Sequence, residues 1–240
     1  MPHLEEPNIP ISEKISKVKE VLFDFEGTLV DFQWQLEPAV AETLGALSKA
    51  GFQRQWYGEK PGYAHIYNHT VDLANQGKGQ GTSDSAPALV DTIYDRFDAD
   101  ALTRWNLYPD TLKMLGTLRH QGFRMAVVSN VGKKSLQAAM EKLQLSQLIQ
   151  VVISRDDVFK IKPHPEGLLT AAKALGVKPA EVLFVGDSRN DVGAARQAGM
   201  LAAYLRGGED SPEAMALFPA DIELDKLLQL PPILAGSPGA

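Results

Sequence analysis

The sequence contains no cysteine. That excludes a disulfide scaffold, a thiolate zinc site and a cysteine nucleophile, and it fits a reducing compartment without requiring one. No apolar run approaches the roughly 20 residues that a membrane-spanning helix needs. The opening segment MPHLEEPNIPISEKISKVKE mixes prolines and acids and has no continuous apolar stretch, so it does not read as a secretory signal. A surplus of positive charge is missing too. Lys and Arg number 24 against 30 Asp and Glu, a net charge of −6. With no basic cluster, nucleic acid is not the expected partner, and neither is a membrane. The expected setting is cytoplasmic. No repeat at a fixed period stands out.

What is present is an ordinary folded composition, 44% hydrophobic and 22% charged over 240 residues. That length corresponds to one or two domains at about 150 residues each. Short apolar runs at Val21–Phe25, Phe123–Val128, Val151–Ile153, Val182–Val185 and Leu201–Leu205 predict buried strands. Strands covered on both faces look like continuous apolar runs rather than alternating ones. Helical spacing fills the gaps, as in Leu112, Leu115 and Leu118. Gly122, Gly176 and Gly199 then mark helix exits before the next run. Strand and helix alternating over 109–205 predict an α/β fold with a parallel sheet and helices on both faces. Residues 31–104 break the rhythm with three helical patterns, Glu37–Lys49, Ala64–Gln76 and Ala86–Phe97. A Gly- and Ser-rich link, Gln76–Ser85, reads as flexible. The expected division is therefore a core of 1–30 and 105–240 with a helical insertion at 31–104. The last ten residues, PPILAGSPGA, read as a loose tail.

Open α/β sheets bind ligands at the carboxyl ends of their strands. The first run ends in Asp24-Phe25-Glu26-Gly27-Thr28 and the second in Ser129-Asn130. Lys160-Ile161-Lys162-Pro163 follows the third, and the fourth ends in Gly186-Asp187-Ser188-Arg189-Asn190-Asp191. At one sheet edge these supply several carboxylates, a hydroxyl and a lysine. Oxygen-only clusters suit Mg²⁺, which pairs with phosphate. The chemistry implied is metal-assisted phosphoryl transfer with a carboxylate nucleophile. Each residue alone has a plainer reading. Asp24 or Asp187 could cap a helix, and Ser129-Asn130 could be an N-cap. Lys160 competes with Lys162, and the following Pro163 favours Lys162.

Taken together, DFEGT, VVSN, KPHPEGL and GDSRND resemble the four ordered motifs of the haloacid dehalogenase superfamily, whose members are mostly Mg²⁺-dependent phosphatases. The resemblance spans about 20–206 and includes a helical cap between the first two motifs. It implies a Rossmann-like core and hydrolysis of a small phosphorylated metabolite. It further implies that Asp24 is the nucleophile, becoming an aspartyl-phosphate. Glu26 is then the general acid and base, with its backbone carbonyl toward the metal. Ser129, Asn130 and Lys162 hold the phosphoryl group, and Asp187 and Asp191 complete the Mg²⁺ site, Asp191 directly or through water. One position departs from the pattern. Glu26 stands where most family phosphatases have Asp, and the added methylene moves the acid by about 1.5 Å. The enolase-phosphatase branch also has Glu there, but its other local sequence is not in this chain. Dehalogenases have an aromatic and phosphonatases a small residue at this position. Two rivals remain: a phosphomutase of the same superfamily, and a non-catalytic binding protein with the same fold. Arg54, Trp56, Tyr63, His65, Tyr67 and His69 are the insertion's candidates for lining a substrate pocket. A zinc site on His65 and His69 lacks an evident third ligand. The GKGQG segment does not follow a strand and lacks the ending of a phosphate-binding loop. Trp34, Trp56 and Trp105 read as packing residues.

Overall fold

The structure is a computed structural model that describes residues 10–80 and 84–235. Its helices are α1 (Ile11–Ile15), α2 (Leu36–Lys49), α3 (Tyr63–Asn75), α4 (Ser85–Leu102), α5 (Thr111–His120), α6 (Lys133–Lys142), α7 (Glu166–Leu175), α8 (Arg189–Ala198), α9 (Pro212–Met215) and α10 (Leu230–Leu234). The strands are β1 (Glu20–Phe23), β2 (Arg124–Val128), β3 (Val151–Ile153), β4 (Val182–Gly186), β5 (Leu201–Leu205) and β6 (Ile222–Leu224). They form one parallel sheet in the order β3-β2-β1-β4-β5-β6.

Both faces of the sheet are covered, which is why its strands read as unbroken apolar runs. Val21, Phe23, Met125, Val127, Leu183 and Val185 pack with Met114, Leu115, Leu118 and Leu136 on one face. The alternate residues Leu22, Ala126, Val128 and Phe184 pack with Leu168, Ala172, Val192 and Ala195 on the other. Helices α7 and α8 end at Gly176 and Gly199, both with φ near +70°. That left-handed exit carries little penalty without a Cβ.

Three sequence expectations need correction. The sheet has a sixth strand, β6, whose three residues alternate buried, exposed, buried. Such a short edge strand leaves no apolar run to detect. The terminal segment is not loose throughout. Leu230, Pro231 and Leu234 in α10 are buried, and Gln121 donates to the Pro231 carbonyl at 3.1 Å. Residues 236–240 of that segment lie outside the described residues. The link Gln76–Ser85 is partly pinned: Gln80 N–H donates to the Ala50 carbonyl at 2.8 Å, and Gly79 lies against the Phe52 ring. Residues 81–83 of the link are outside the described set.

Helices α2, α3 and α4 extend the first apolar cluster through Ala39, Leu47, Ile66, Val90, Ile93 and Tyr94. The chain enters this helical segment and leaves it through paired backbone. Val30 and Leu107 form an antiparallel bridge, Asp31 N–H donates to the Asn106 carbonyl at 3.0 Å, and Asn106 N–H donates to the Asp31 carboxylate at 2.7 Å. Behind the β2 end, the buried Arg155 guanidinium donates to Asp91, Asp95 and Asp98 on α4 and to the Asn130 carbonyl. Among the described residues no helix is long and apolar enough to cross a membrane.

Candidate active site

The sheet order reverses around β1, between β2 and β4. The carboxyl ends of those three central strands bring distant residues together. Asp24 follows β1, and its N–H still donates to the Val185 carbonyl at 2.8 Å. Ser129 follows β2, and its backbone N–H donates to the Ile153 carbonyl at 2.9 Å. Asp187 follows β4. Asp191 is placed by the start of α8, where it forms a reciprocal cap with Ser188. Ser188 N–H donates to Asp191 Oδ2 at 3.0 Å and Ser188 Oγ to the same oxygen at 2.6 Å. A carboxylate three residues after an N-cap serine satisfies backbone donors that the helix leaves open.

Lys162 joins the groups. Its buried ammonium donates to Asp24 Oδ1 at 2.5 Å and to Asp191 Oδ1 at 2.7 Å. Lys160 instead pairs with Asp72 on α3 at 2.6 Å, near the surface. Asn130 anchors the lysine loop: its Oδ1 accepts from Lys162 N–H at 3.0 Å, and its amide NH₂ donates to the Lys162 carbonyl and to the Tyr63 hydroxyl. The Lys162–Pro163 peptide is cis. Ser129 Oγ accepts from Val131 N–H, which leaves its hydroxyl proton to donate elsewhere.

Asp24, Asp187 and Asp191 present carboxylate oxygens all within 4.8 Å of one another, and all three residues are buried. Asp187 takes hydrogen bonds from Thr28 Oγ1 at 3.2 Å and from Glu209 N–H. Gly27, at φ +86°, and Gly208 both pass so close that a Cβ at either would collide with its carboxylate. One lysine does not balance three buried carboxylates. Burial pushes Asp24 up to about 6 against the pull of Lys162. Burial, then Asp191 and Asp24, raise Asp187 well above the carboxylate range. Burial opposes the charge on Lys162, but Asp191 and Asp24 outweigh it and raise its pKa. An all-oxygen donor set with excess negative charge is what a hard divalent cation fits. The Glu26 carboxylate is not part of this cluster.

Glu26 is held at the mouth of the helical segment. Its Oε1 accepts from Gln33 N–H and Trp34 N–H, both at 2.7 Å, and from Trp105 Nε1–H at 2.8 Å. Trp105 therefore does more than pack, which corrects the sequence reading. Burial pushes Glu26 up to about 7, although these three donors pull the other way. Such a carboxyl has its proton available near neutral pH.

Asp24, Glu26, Ser129, Asn130, Lys162 and Asp191 line a narrow chamber of about 30 Å³, flanked by Trp34, Tyr63 and Tyr94 from the helical segment, while Asp187 lies outside its lining. Beyond it lies an outer cleft of about 570 Å³ that shares only Tyr63 and Glu209 with the chamber. Of the six candidates from the insertion, Tyr63 lines both cavities and Arg54 the outer one, while Trp56, His65, Tyr67 and His69 line neither. Among the described residues the carboxylate trio is the only group of three or more His, Cys, Asp or Glu that could hold a metal. The sequence pattern does not mark Thr28, Trp105 or Glu209 as site residues: Thr28 lies within DFEGT, but nothing local distinguishes the other two.

Comparison with known proteins gives a consistent answer. The sequence profile of the haloacid dehalogenase-like hydrolases matches residues 21–204. A phosphoglycolate phosphatase of Salmonella paratyphi A is 33% identical, over 92% of this chain and 94% of that protein. One from Escherichia coli K12 is 32% identical over the same shares. The crystal structure of a HAD phosphatase from Thermococcus onnurineus superposes with a TM-score of 0.58 at 25% identity, covering 92% of this chain and all of that one. Fold, sheet-edge chemistry and these likenesses agree: the chain belongs to the haloacid dehalogenase-like hydrolases and is an enzyme of the phosphatase kind.

Proposed function

We propose that the protein hydrolyses a small-molecule phosphate monoester through an aspartyl-phosphate on Asp24, with Mg²⁺ as the divalent ion. The observation that carries the reading is the narrow chamber in which Asp24, Lys162, Ser129 and Glu26 meet, with the carboxylates of Asp187 and Asp191 converging on that of Asp24. Asp24, Asp187 and Asp191 would hold the ion, together with the Glu26 carbonyl, to which no described backbone N–H donates. Bound there, Mg²⁺ would offset the carboxylates' charge and that of the phosphoryl oxygens.

Asp24 attacks phosphorus, and the bond from phosphorus to the ester oxygen breaks. Glu26 delivers its proton to that departing oxygen. Glu26, now ionised, takes a proton from water, which attacks phosphorus and breaks the bond to Asp24, releasing inorganic phosphate. Lys162 Nζ and Ser129 Oγ hold the equatorial oxygens. Asn130 acts by fixing the lysine loop, because its amide is committed to the Lys162 backbone and Tyr63. The helical segment 31–104 serves as the cap that excludes water. We place the enzyme in the cytoplasm, in keeping with the absence of cysteine.

Phosphate release from p-nitrophenyl phosphate tests the reading. Asp24→Asn should lose at least roughly 10³-fold, since an amide is a very poor nucleophile. Acid-quenched wild-type enzyme should carry an acyl-phosphate sensitive to hydroxylamine. Near wild-type turnover by Asp24→Asn would end the assignment.

A further inference from the structure

Lys162 stands on the loop between β3 and α7. The backbone N–H groups of residues 159–162 have no backbone acceptor, and side chains supply the acceptors instead. Phe159 N–H and Lys160 N–H donate to the two Glu166 carboxylate oxygens at 3.0 and 3.1 Å. Lys162 N–H donates to Asn130 Oδ1 at 3.0 Å. Between them, Ile161 N–H donates to Asn68 Oδ1 at 2.9 Å, and Asn68 Nδ2 donates back to the Ile161 carbonyl at 2.8 Å. Ile161 is 1% exposed. Among the described residues its N–H has no other acceptor, whereas its carbonyl also accepts from His164 N–H at 3.0 Å.

Glu166 and Asn130 belong to the core. Asn68 comes from the helical segment, on α3. The two asparagines hold adjacent residues in the same way, each meeting both the N–H and the carbonyl: Asn130 on Lys162, Asn68 on Ile161. A side-chain amide carries an acceptor and donors side by side, as a peptide does, so it can stand in for a missing strand partner. From this backbone Lys162 Nζ reaches Asp24 and Asp191, and a displaced peptide displaces the ammonium it carries. The other ion pair between α3 and the loop, Asp72 with Lys160, joins two partly exposed side chains and fixes no backbone.

We infer that Asn68 is a positioning residue for Lys162: the helical segment, besides covering the chamber, holds the peptide beside the lysine that meets the phosphoryl group. Separation of that segment from the core would release Ile161, so the placement of the lysine depends on the segment being docked. The inference rests on the phosphatase reading above and adds to it a residue that touches neither substrate nor metal.

Two measurements test it, kcat/KM on p-nitrophenyl phosphate and the Kd of inorganic phosphate in the presence of Mg²⁺, both made below the melting temperature of each variant. Asn68→Leu keeps the side-chain size and neither polar atom. Asn68→Ala leaves room for water and serves if the leucine variant does not fold. Either should lower kcat/KM at least about tenfold, since a displacement near 1 Å can cost about 10²-fold, and either should weaken phosphate binding. Asn68→Asp restores the acceptor for Ile161 N–H and should recover activity relative to Asn68→Leu. Asp72→Ala should stay within about twofold of wild type, because an exposed ion pair contributes little. A merely structural role for Asn68 would reduce the active fraction and leave the phosphate affinity of the folded enzyme unchanged. Unchanged phosphate affinity therefore overturns the inference, as does an unchanged kcat/KM or an equal loss in Asp72→Ala. A wild-type enzyme that releases no phosphate from p-nitrophenyl phosphate would instead end the phosphatase reading, and this inference with it.

Discussion

Glu26 shows what one methylene does at the residue scale. Its Oε1 gathers donors from both sides of the cap entrance, Gln33 and Trp34 on the way in and Trp105 on the way out. Its other oxygen remains for a proton. Aspartate would fall short by about 1.5 Å and strand those donors. Glu26→Asp should therefore lower both melting temperature and activity, because a buried donor left unpaired costs about 1–3 kcal/mol. Equal or higher activity in thermal-shift and turnover assays would show that the shorter acid suffices. Glu26→Gln should divide substrates by leaving group. Alkyl phosphates need the proton and should lose about 10²–10⁴-fold, while p-nitrophenolate leaves without one. Equal losses on both would remove the acid role from Glu26. The two lysines make a second comparison. Lys162 is buried between Asp24 and Asp191, whereas Lys160 pairs with Asp72 near the surface. Lys162→Ala should abolish most turnover, since it leaves buried carboxylates without their cation. Lys160→Ala should stay within about 1 kcal/mol in stability, the range of exposed pairs. Similar kinetics in the two variants would refute the assignment of Lys162.

At the scale of elements, Arg155 ties α4 to the strand ends. Its guanidinium bonds Asp98 at 2.9 Å and the Asn130 carbonyl at 3.0 Å. Asp98 in turn accepts from Gly132 N–H at 2.8 Å. Arg155 and Asp98 are both almost fully buried, while Asp91 and Asp95 remain partly exposed. The interaction with Asp98 is therefore the one least screened by water. Removing one member of a buried pair leaves the other charge uncompensated, at about 3–5 kcal/mol. With roughly 2–4 °C per kcal/mol for a chain of this size, Arg155→Ala should lower the melting temperature by about 6–20 °C. A shift under about 2 °C would show that the α4 contact is not needed for stability. The same contact sets where Ser129 and Asn130 sit, because the Asn130 carbonyl is one of its ends.

For the whole molecule, charge and closure act together. The chamber leaves about 30 Å³ open to the centres of water molecules, space for about two or three of them. An ester that needs more room than this would require the helices over the sheet to move away. The paired backbone at Val30 and Leu107 is where such a motion would turn. The carboxylate trio beside the chamber is the place for a metal. An ion that binds only the folded protein stabilises it by about 2.7 kcal/mol at a hundredfold excess over Kd. Mg²⁺ should thus raise the melting temperature by about 5–10 °C, and excess EDTA should abolish turnover. Asp187→Asn should lose most of the Mg²⁺ shift. Full activity in excess chelator, or no thermal shift with Mg²⁺, would reject the metal site.

The sequence by itself determined the parallel sheet, because strands buried on both faces must be apolar throughout and those runs are visible. It also determined which residue types end those strands, since a carboxylate or lysine after an apolar run stands out locally. Only the tertiary structure decided what depends on meetings between distant segments. Trp105 meets Glu26 across 79 residues of sequence, and Glu209 reaches Asp187 from beyond the next strand. Neither carries a spacing that could reveal it. The short strand β6 and the docked helix α10 were hidden for a related reason. Three alternating residues and a Pro-rich end have no strong local preference, and burial against β5 and α5 gives them their form. Local pattern records how each segment faces its own neighbours, whereas the chamber's size and charge arise from side chains that the chain brings together only on folding.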